Sequence, residues 1–291
     1  MSSNILEKKY ETLYELISHM RDSGRRHNTY HHYTNIDSLM KILKNKSLLL
    51  LKVDTMNDKQ ELKKIWLPDV TWQSAFSISF TYGTRVNMAL WGLYAIPGEC
   101  GVRISIDQKE LINIIDNNEG LKKLGGDGDI LDVQDGFTID LYEILYASNH
   151  NPQKKYGYKY MVRDKVFFSD RYIGNSDNEN EDARDLVGTF KNEAWCYEQE
   201  VRIRVKFDNK SAFEKLFLDI SSIDLSKITI TFSQWVNQET NNNLRGYIEG
   251  LGHEYKDIKF NSIDFTELVT YRDKCDFCYY ENFKSKSENN G

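Results

Sequence analysis

Two acidic residues, Glu198 and Glu200, stand one residue apart at the start of an alternating stretch of the chain. In residues 201–205 apolar side chains alternate with arginines, which predicts a half-buried strand. If the strand is regular from its first acid, both carboxylates project to the same side. Two neighbouring carboxylates repel each other and lower stability unless the protein uses them. The pair is therefore a candidate for catalysis.

An interpretation without chemistry accounts for the same residues. Glu200 would share one face of the strand with Arg202 and Arg204, and a glutamate would pair with one of these arginines on a polar surface. Both interpretations remain open at the level of this stretch alone.

The second stretch with candidate functional groups is Tyr-His-His-Tyr-Thr-Asn, residues 30–35. It is aromatic and alternating, as the end of a strand is, and Asn35 or Asp37 then begins a helix as its N-cap. A histidine at such a junction either fills space and bonds a backbone carbonyl, or presents its imidazole to a ligand. His31 and His32 point to opposite sides, and the pattern does not choose between them.

Residues 73–81 alternate between bulky and small side chains, which predicts a strand with one small, hydroxyl-rich face. That face includes Ser77 and Ser79. It either packs closely against a neighbour or leaves room for a ligand. Residues 47–54 also predict a strand, and this one is too apolar to face solvent.

Residues 87–95 predict a short helix that precedes a strand over 101–107. Trp91 and Tyr94 are three residues apart and therefore share a face of this helix. Aromatic residues at such a spacing usually belong to the core.

Hydrophobic periodicity predicts the remaining elements. Residues 137–147 fit a helix or a strand equally well. Residues 122–132 are rich in glycine and aspartate but depart from the calcium-binding EF-hand pattern, so we expect a loop. We predict further helices over 5–22, 183–190, 211–218 and 237–251, and strands over 227–232 and 258–263.

Composition excludes several classes of protein. The formal net charge of −6 leaves no overall basic surface for nucleic acid. No stretch has the length and apolarity of a membrane span, and the first residues lack the apolar core of a signal peptide, so we expect a cytoplasmic protein. Cys100 and Cys196 stand alone, and the single CxxC of Cys275 and Cys278 is better explained by two reduced thiols than by a metal site. Rossmann, Walker A, HExxH and GxSxG motifs are absent.

The sequence predicts one domain, since no proline- or glycine-rich linker divides the chain and no internal repeat occurs. We predict an N-terminal helix within residues 1–29, the domain itself over 30–275 and a frayed tail over 276–291.

Three of these pieces, in their order along the chain, resemble motifs of the ADP-ribosyltransferases. An aromatic residue followed by Glu-x-Glu and a strand is similar to the last catalytic motif of that superfamily. The run His32-Tyr33-Thr34 resembles its opening His-Gly-Ser/Thr motif, and Tyr94 lies where the superfamily has a tyrosine before a strand. The resemblance implies an α+β fold, a single-domain ADP-ribosyltransferase-like split β-sheet with flanking helices.

From Tyr30 to Ile263 the chain also resembles a bacterial family, domain of unknown function 2971. The likeness rests on the opening His-Tyr-Thr, on Trp91-x-x-Tyr94-Ala and on Tyr-Glu-x-Glu before the strand. Val201 stands where that family often has tryptophan. The family is identified as a member of the histidine-tyrosine-glutamate branch of the ADP-ribosyltransferases.

The resemblance implies that NAD⁺ binds as a substrate and that no metal is needed. Glu200 would bind the 2′-hydroxyl of the nicotinamide ribose, and Glu198 would orient or deprotonate the acceptor. Tyr94, or Trp91 in its place, would stack on the nicotinamide ring. The other NAD⁺-binding residues would be His32 as a donor to the adenosine ribose, Tyr33 or Thr34 through their backbone, and the strand residues Ser77 and Ser79.

We therefore expect transfer of ADP-ribose from NAD⁺ to a macromolecular acceptor, a protein or a nucleic acid. The resemblance implies the role of a bacterial toxin or phage-defence effector, with a neutralising antitoxin or regulatory partner and no membrane. One alternative is an NAD⁺ glycohydrolase, which uses water as the acceptor. The others are a non-catalytic module that binds a nucleotide or a partner, and a nucleic-acid-processing enzyme that uses the pair of histidines.

Overall fold

The computed structural model describes residues 13–55, 75–83, 87–94, 101–117, 120–124, 130–132, 136–149, 158–162, 165–169, 186–208, 215–233 and 236–263. The helices in these ranges are α1 (Leu13–Gly24), α2 (Ile36–Asn45), α3 (Met88–Tyr94), α4 (Gln108–Asn117) and α5 (Gln238–Glu249). The strands are β1 (Thr29–Asn35), β2 (Ser47–Lys52), β3 (Ala75–Thr81), β4 (Gly101–Asp107), β5 (Leu121–Leu124), β6 (Ile130–Asp132), β7 (Phe137–Glu143), β8 (Leu145–Asn149), β9 (Tyr158–Val162), β10 (Lys165–Ser169), β11 (Phe190–Asn192), β12 (Glu200–Phe207), β13 (Lys215–Asp219), β14 (Ile228–Phe232) and β15 (Lys259–Ser262). Short 3₁₀ helices cover Val53–Thr55, Glu193–Glu198, Leu225–Lys227 and His253–Asp257.

Most of the strands form one mixed sheet in the order β15-β14-β4-β1-β3-β2-β13-β5-β6. In addition, β12 pairs with β3, and β7 pairs with β12. Within this sheet β14 and β15 are parallel, and the other described pairs are antiparallel. A smaller sheet has the order β10-β9-β8-β11. Helices flank these sheets rather than alternate with parallel strands, so the architecture is α+β.

The main sheet opens along one edge of β3. On its other edge β3 pairs with β12 along its whole length. On the open edge Leu51 of β2 pairs with Ser77, and His31 of β1 pairs with Thr81. Between these two points, residues 78–80 pair with none of the described strands on that edge. The strands β1 and β2 therefore diverge from β3 and leave a gap in the sheet.

Strand β12 lies between β3 and β7 and is buried on both faces. Val201, Ile203 and Val205 belong to the main hydrophobic core. The opposite face carries Arg202 and Arg204, which are also buried because the turn before β11 covers them and accepts their hydrogen bonds. The expectation of a half-buried strand with a polar surface is therefore wrong.

Helix α2 begins where the sequence predicts. The side chain of Asn35 accepts a hydrogen bond from the backbone N–H of Ser38 at 2.8 Å, which satisfies one of the free donors of the first turn. The chain leaves the helix at Lys46, which adopts the left-handed conformation with φ of 47°. Of the two predicted caps, Asn35 is thus the one that the fold uses.

Two predicted helices are absent from the described residues. In the segment 211–218 the described part belongs to β13, whose Leu216 and Leu218 are buried and pair with leucines of β2. Of 183–190, residues 186–189 form a turn that leads into β11. Short apolar runs satisfy helical and strand patterns alike, and the available pairing partner decided between them.

Other predictions were met in part. The glycine-rich segment 122–132 contains parts of the paired strands β5 and β6, with 125–129 outside the described residues. Residues 137–147 form strands rather than a helix. In β2 the side chains of Leu49 and Leu51 are 38% and 39% exposed, so the strand faces solvent on one side, contrary to expectation.

The predicted helices over 87–95 and 237–251 are confirmed as α3 and α5, and the strands over 227–232 and 258–263 as β14 and β15. The predicted N-terminal helix is confirmed as α1 in its described part. No helix in the described ranges combines the length and apolarity that crossing a membrane requires. Cys100, Cys275, Cys278, the first part of the predicted helix over 5–12 and the tail over 276–291 lie outside the described residues.

The contact between α1 and β7 yields a test of the packing. A Cβ atom at Gly24 would lie 2.9 Å from the backbone oxygen of Leu141 and 2.9 Å from the backbone nitrogen of Glu143. Because backbone atoms of a sheet move little, Gly24→Ala is expected to lower the free energy of unfolding by about 1–3 kcal/mol in urea titrations. Gly246→Ala in α5 is the control: nothing lies within 4 Å of its Cβ, and alanine favours a helix by about 1 kcal/mol. Equal effects of the two changes would contradict the close approach of α1.

Candidate active site

A cavity of about 260 Å³ lies where β1 and β2 diverge from β3. Its wall combines aromatic rings with a small number of charged side chains, which is the usual make-up of a ligand site. The residues that line it are His31, His32, Tyr33, Leu51, Thr55, Ser79, Phe80, Thr81, Leu90, Tyr94, Lys191, Trp195, Glu198, Glu200 and Arg202.

The two glutamates enter the cavity from the junction of a 3₁₀ helix with β12. The helix runs from Glu193 to Glu198, and the side chain of Asn192 caps its start. Gln199 then adopts the left-handed conformation with φ of 47°, and Glu200 is the first residue of the strand. The strand is therefore not regular from Glu198 onward, and the condition for a shared side of one strand is not met. The left-handed turn nevertheless brings both carboxylates to the same cavity.

Lys191 of β11 links the two carboxylates. Its Nζ atom lies 2.5 Å from Oε2 of Glu198 and 2.7 Å from Oε2 of Glu200. Arg202 binds Glu200 with two nitrogens, Nε at 2.6 Å from Oε1 and Nη2 at 3.3 Å from Oε2. All four side chains are buried, and two cations offset two anions, as buried charges require. The pairing of a glutamate with Arg202 is thus present, but inside the protein rather than on its surface.

Two tyrosines hold the pair from other elements. The backbone N–H of Glu200 donates to the hydroxyl of Tyr146 at 2.9 Å. The hydroxyl of Tyr94, the last residue of α3, donates to Oε1 of Glu198 at 3.1 Å. Tyr94 lines the cavity and is 42% exposed, so part of this residue is accessible to a ligand.

The two acids have opposite electrostatic environments. Burial raises the pKa of Glu198, and Lys191 opposes this only in part. Burial also disfavours the charged form of Glu200, but the Arg202 guanidinium and the Lys191 ammonium outweigh it and hold the pKa of Glu200 below its usual range. When the pKa values of two neighbouring carboxyl groups shift in opposite directions, one group stays ionised and the other exchanges a proton nearer to neutral pH.

His32 has a defined tautomer because of the gap in the sheet. Its Nδ1 lies 2.9 Å from the backbone oxygen of Ser79, within the part of β3 that the described strands leave unpaired on that edge. A carbonyl oxygen only accepts, so Nδ1 carries the proton. Burial lowers the pKa of His32 and keeps the ring neutral, which leaves Nε2 as an acceptor. This corrects the expectation that His32 acts as a donor to the ligand.

His31 also lines the cavity, so the expectation that only one of the two histidines faces the site is wrong. Its Nδ1 lies 2.8 Å from Oγ of Ser105 on β4. Burial and the nearby Arg103 guanidinium lower the pKa of His31 to about 3, so this ring is neutral. After the pairing of His31 with Thr81, β1 parts from β3 but stays paired with β4 as far as Asn35.

The two aromatic candidates on α3 differ in their position relative to the cavity. Trp91 is fully buried and packs edge-on against the ring of Tyr33, with centroids 5.1 Å apart. It forms a small core cluster with Tyr33 and Leu90. Tyr94, not Trp91, therefore offers a ring surface to the cavity.

Some of the polar candidates on β1 and β3 line the cavity, and others do not. Tyr33 and Ser79 belong to the wall of the cavity. Ser77 is buried within β3, where it pairs with Leu51 on one side and Arg204 on the other. Neither Ser77 nor Thr34 is among the residues that line the cavity.

Lys191 is the charged wall residue that sequence reasoning missed. It stands just after a segment predicted to be helical, and no local pattern marks it. Its importance arises from contacts with residues seven and nine positions further along the chain. Within the described ranges no three histidine, cysteine or acidic side chains come together as a metal site would need.

Comparison with known proteins adds one match. A family described as "Protein of unknown function (DUF2971)" matches residues 90–203. This range contains Tyr94, Lys191 and both glutamates, and it supports the resemblance to that family over this part of the chain. It does not include β1 with its two histidines. No curated protein matches the chain.

Arg202 provides a test of the buried charge cluster. Arg202→Met is expected to destabilise the fold by about 3–5 kcal/mol at pH 7, because Glu200 loses its bidentate partner inside the protein. The depressed pKa of Glu200 stabilises the folded state above the unfolded-state value of about 4.3, and this contribution is lost as the pH falls toward the folded-state pKa.

The destabilisation by Arg202→Met should therefore be largest at neutral pH and shrink below about pH 4 in urea titrations. Arg202→Lys, which keeps the charge but not the two-nitrogen fork, should lie between the wild type and the methionine variant. A loss that does not vary with pH would contradict the ion pair.

Proposed function

We propose that the cavity binds the nicotinamide end of NAD⁺ and that the protein transfers ADP-ribose from NAD⁺ to a macromolecular acceptor. The observation that carries the proposal is the convergence of Glu200, Glu198, Tyr94 and His32 on one cavity. These residues come from three separate parts of the chain. They are also the residues to which the resemblance to the ADP-ribosyltransferases assigns NAD⁺ and acceptor contacts.

The electrostatics of Glu200 suit cleavage of the bond between nicotinamide and ribose. That bond breaks with its electron pair leaving on nicotinamide, and C1′ of the ribose develops oxocarbenium character. Glu200 stays ionised beside Arg202 and Lys191, so a negative charge is already in place when the positive charge forms. A group preorganised in this way stabilises the transition state without reorganising.

Glu198 suits the second half of the reaction. The acceptor forms a bond to C1′ and loses a proton, which needs a base. Burial raises the pKa of Glu198, which brings it closer to neutral pH and makes it a better proton acceptor than Glu200. Its carboxylate also accepts a hydrogen bond from the hydroxyl of Tyr94, a residue that is 42% exposed.

The aromatic and imidazole groups would position the substrate. The ring of Tyr94 would stack on the departing nicotinamide ring. His32 would accept a hydrogen bond from a ribose hydroxyl through Nε2, since its other nitrogen is bound to Ser79. No metal is required by this chemistry. On the basis of the resemblance, we further propose a bacterial toxin or phage-defence effector that is held in check by an antitoxin or other regulatory partner.

Labelled NAD⁺ distinguishes this function from its alternatives. The protein is incubated with labelled NAD⁺, with and without a cell lysate, and the products are separated. Label on protein or nucleic acid supports transfer, whereas free ADP-ribose alone would identify an NAD⁺ glycohydrolase. Unchanged NAD⁺ would contradict both enzymatic functions and leave a non-catalytic nucleotide- or partner-binding module.

Glu200→Gln is expected to reduce NAD⁺ consumption about 10²-fold or more, because the amide keeps the shape of the side chain and removes its charge. Nicotinamide release is the measurement, and urea titration checks that the variant is folded. Glu193→Gln is the matched control, because Glu193 lies in the same 3₁₀ helix and pairs with Lys159 away from the cavity. Wild-type turnover in Glu200→Gln would remove Glu200 from the site.

Glu198→Gln separates cleavage from transfer. It is expected to reduce modification of the acceptor far more than release of free ADP-ribose, since water needs less positioning than a macromolecular nucleophile. One time course measures labelled acceptor, nicotinamide and free ADP-ribose together. Equal losses of transfer and hydrolysis would place Glu198 in the cleavage step, and no loss of either would show that its contacts with Lys191 and Tyr94 are structural only.

A further inference from the structure

We propose that Lys191 is a positioning residue that holds Glu198 and Glu200 side by side in the cavity. The inference rests on the proposed function, because it assigns Lys191 a task in the same reaction. Lys191 acts through the two carboxylates rather than on the substrate. Neither the motifs in the sequence nor the family match assigns this lysine a role.

The hydrogen bonds of the pair make Lys191 its shared partner. The Nζ atom of Lys191 contacts one oxygen of each glutamate, at 2.5 Å and 2.7 Å. Tyr94 binds Glu198, and Arg202 binds Glu200. Lys191 contacts both acids, so its loss would remove a cation that the two carboxylates share.

The position of Lys191 is itself well determined. Lys191 is the middle residue of β11 and is directly paired with Tyr146 of β8 in the smaller sheet. Tyr146 accepts the backbone N–H of Glu200, and Lys191 binds its side chain. The Nζ atom also lies 5.5 Å from the ring centroid of Trp195. The smaller sheet thus presents two groups to the first residue of β12 in the main sheet.

The charges around the pair explain why this lysine matters. Among the described residues, the titratable and charged groups around the pair include Tyr94 of α3, Tyr146 of β8, Lys191 of β11, Arg202 of β12, Tyr197 of the 3₁₀ helix, and His31 and His32 of β1. Both histidines are neutral because their pKa values are lowered by burial. Arg202 binds Glu200, so Lys191 is the cation that contacts Glu198 among the described residues.

The consequence is a defined change in pH dependence. Without Lys191 the two carboxylates repel each other, and their ionisation requires a higher pH. In Lys191→Met, the pH at which NAD⁺ consumption falls on the acidic side should rise by roughly 1–3 units, with recovery in more alkaline buffer. A lysine that only supports the fold would instead lower activity by the same factor at every pH.

Three further variants sharpen the experiment. Lys191→Arg keeps the charge and should return the acidic limb toward that of the wild type. Lys191→Gln keeps hydrogen bonds without the charge, so it should behave like Lys191→Met and serves if the methionine variant is unstable. Lys159→Met is the control, because Lys159 pairs with Glu193 of the same 3₁₀ helix and does not line the cavity. Its pH profile should match that of the wild type.

A second readout needs no NAD⁺. The side-chain carboxyl carbons of Glu198 and Glu200 are followed by ¹³C NMR during an acid titration, with assignments from Glu198→Gln and Glu200→Gln. In Lys191→Met or Lys191→Gln both carboxylates should titrate at higher pH than in the wild type. Unchanged carboxyl titrations would overturn the proposal.

The two readouts separate this inference from the proposed function. If the wild type consumes NAD⁺ and the acidic limb of Lys191→Met and Lys191→Gln does not move, the inference fails while the proposed function stands. If the wild type leaves NAD⁺ unchanged, the proposed function fails, and the carboxyl titration alone decides whether Lys191 holds the pair.

Discussion

The structure around the cavity depends on one buried cluster of four charges. Glu198 and Glu200 are each 3% exposed, and neither would be stable there as an anion without Lys191 and Arg202. The cations reach them from β11 and from β12 itself, so the cluster joins the smaller sheet to the main sheet. Removing any member leaves an uncompensated charge inside the protein. The same contacts that allow the acids to be buried also give them different environments.

The second constraint is the interrupted edge of β3. A continuous ladder there would have filled the space that the cavity occupies. Because β1 and β2 pair only with opposite ends of β3, the carbonyl of Ser79 is free to accept the Nδ1 proton of His32. The gap therefore creates the cavity and also determines which nitrogen of the imidazole faces a ligand. The hydrophobic core covers one face of β12, and the turn before β11 covers the other.

These two features together support the division of labour that we propose between the acids. Glu200 binds both Arg202, through two nitrogens, and Lys191, and it remains ionised. This charge suits the stabilisation of a positive charge on ribose. Glu198 shares the lysine and accepts a hydrogen bond from the hydroxyl of Tyr94, and its raised pKa suits removal of a proton from an incoming acceptor. A pair of acids in one cavity thereby serves two steps, because the cations are not distributed equally between them.

Local patterns in the sequence determined the elements that carry the site. The alternation after Glu200 predicted β12, the aromatic helix before residues 101–107 predicted α3 with Tyr94 on it, and Asn35 predicted the start of α2 beside the histidines. These signals are local because strand and helix periods and cap hydrogen bonds involve residues a few positions apart. Tertiary structure alone decided the rest. The contact of Lys191 with both acids, the burial of Arg202 and the orientation of Glu198 depend on segments that meet only after the sheets have paired, and β13 became a strand because the leucines of β2 were there to pair with it.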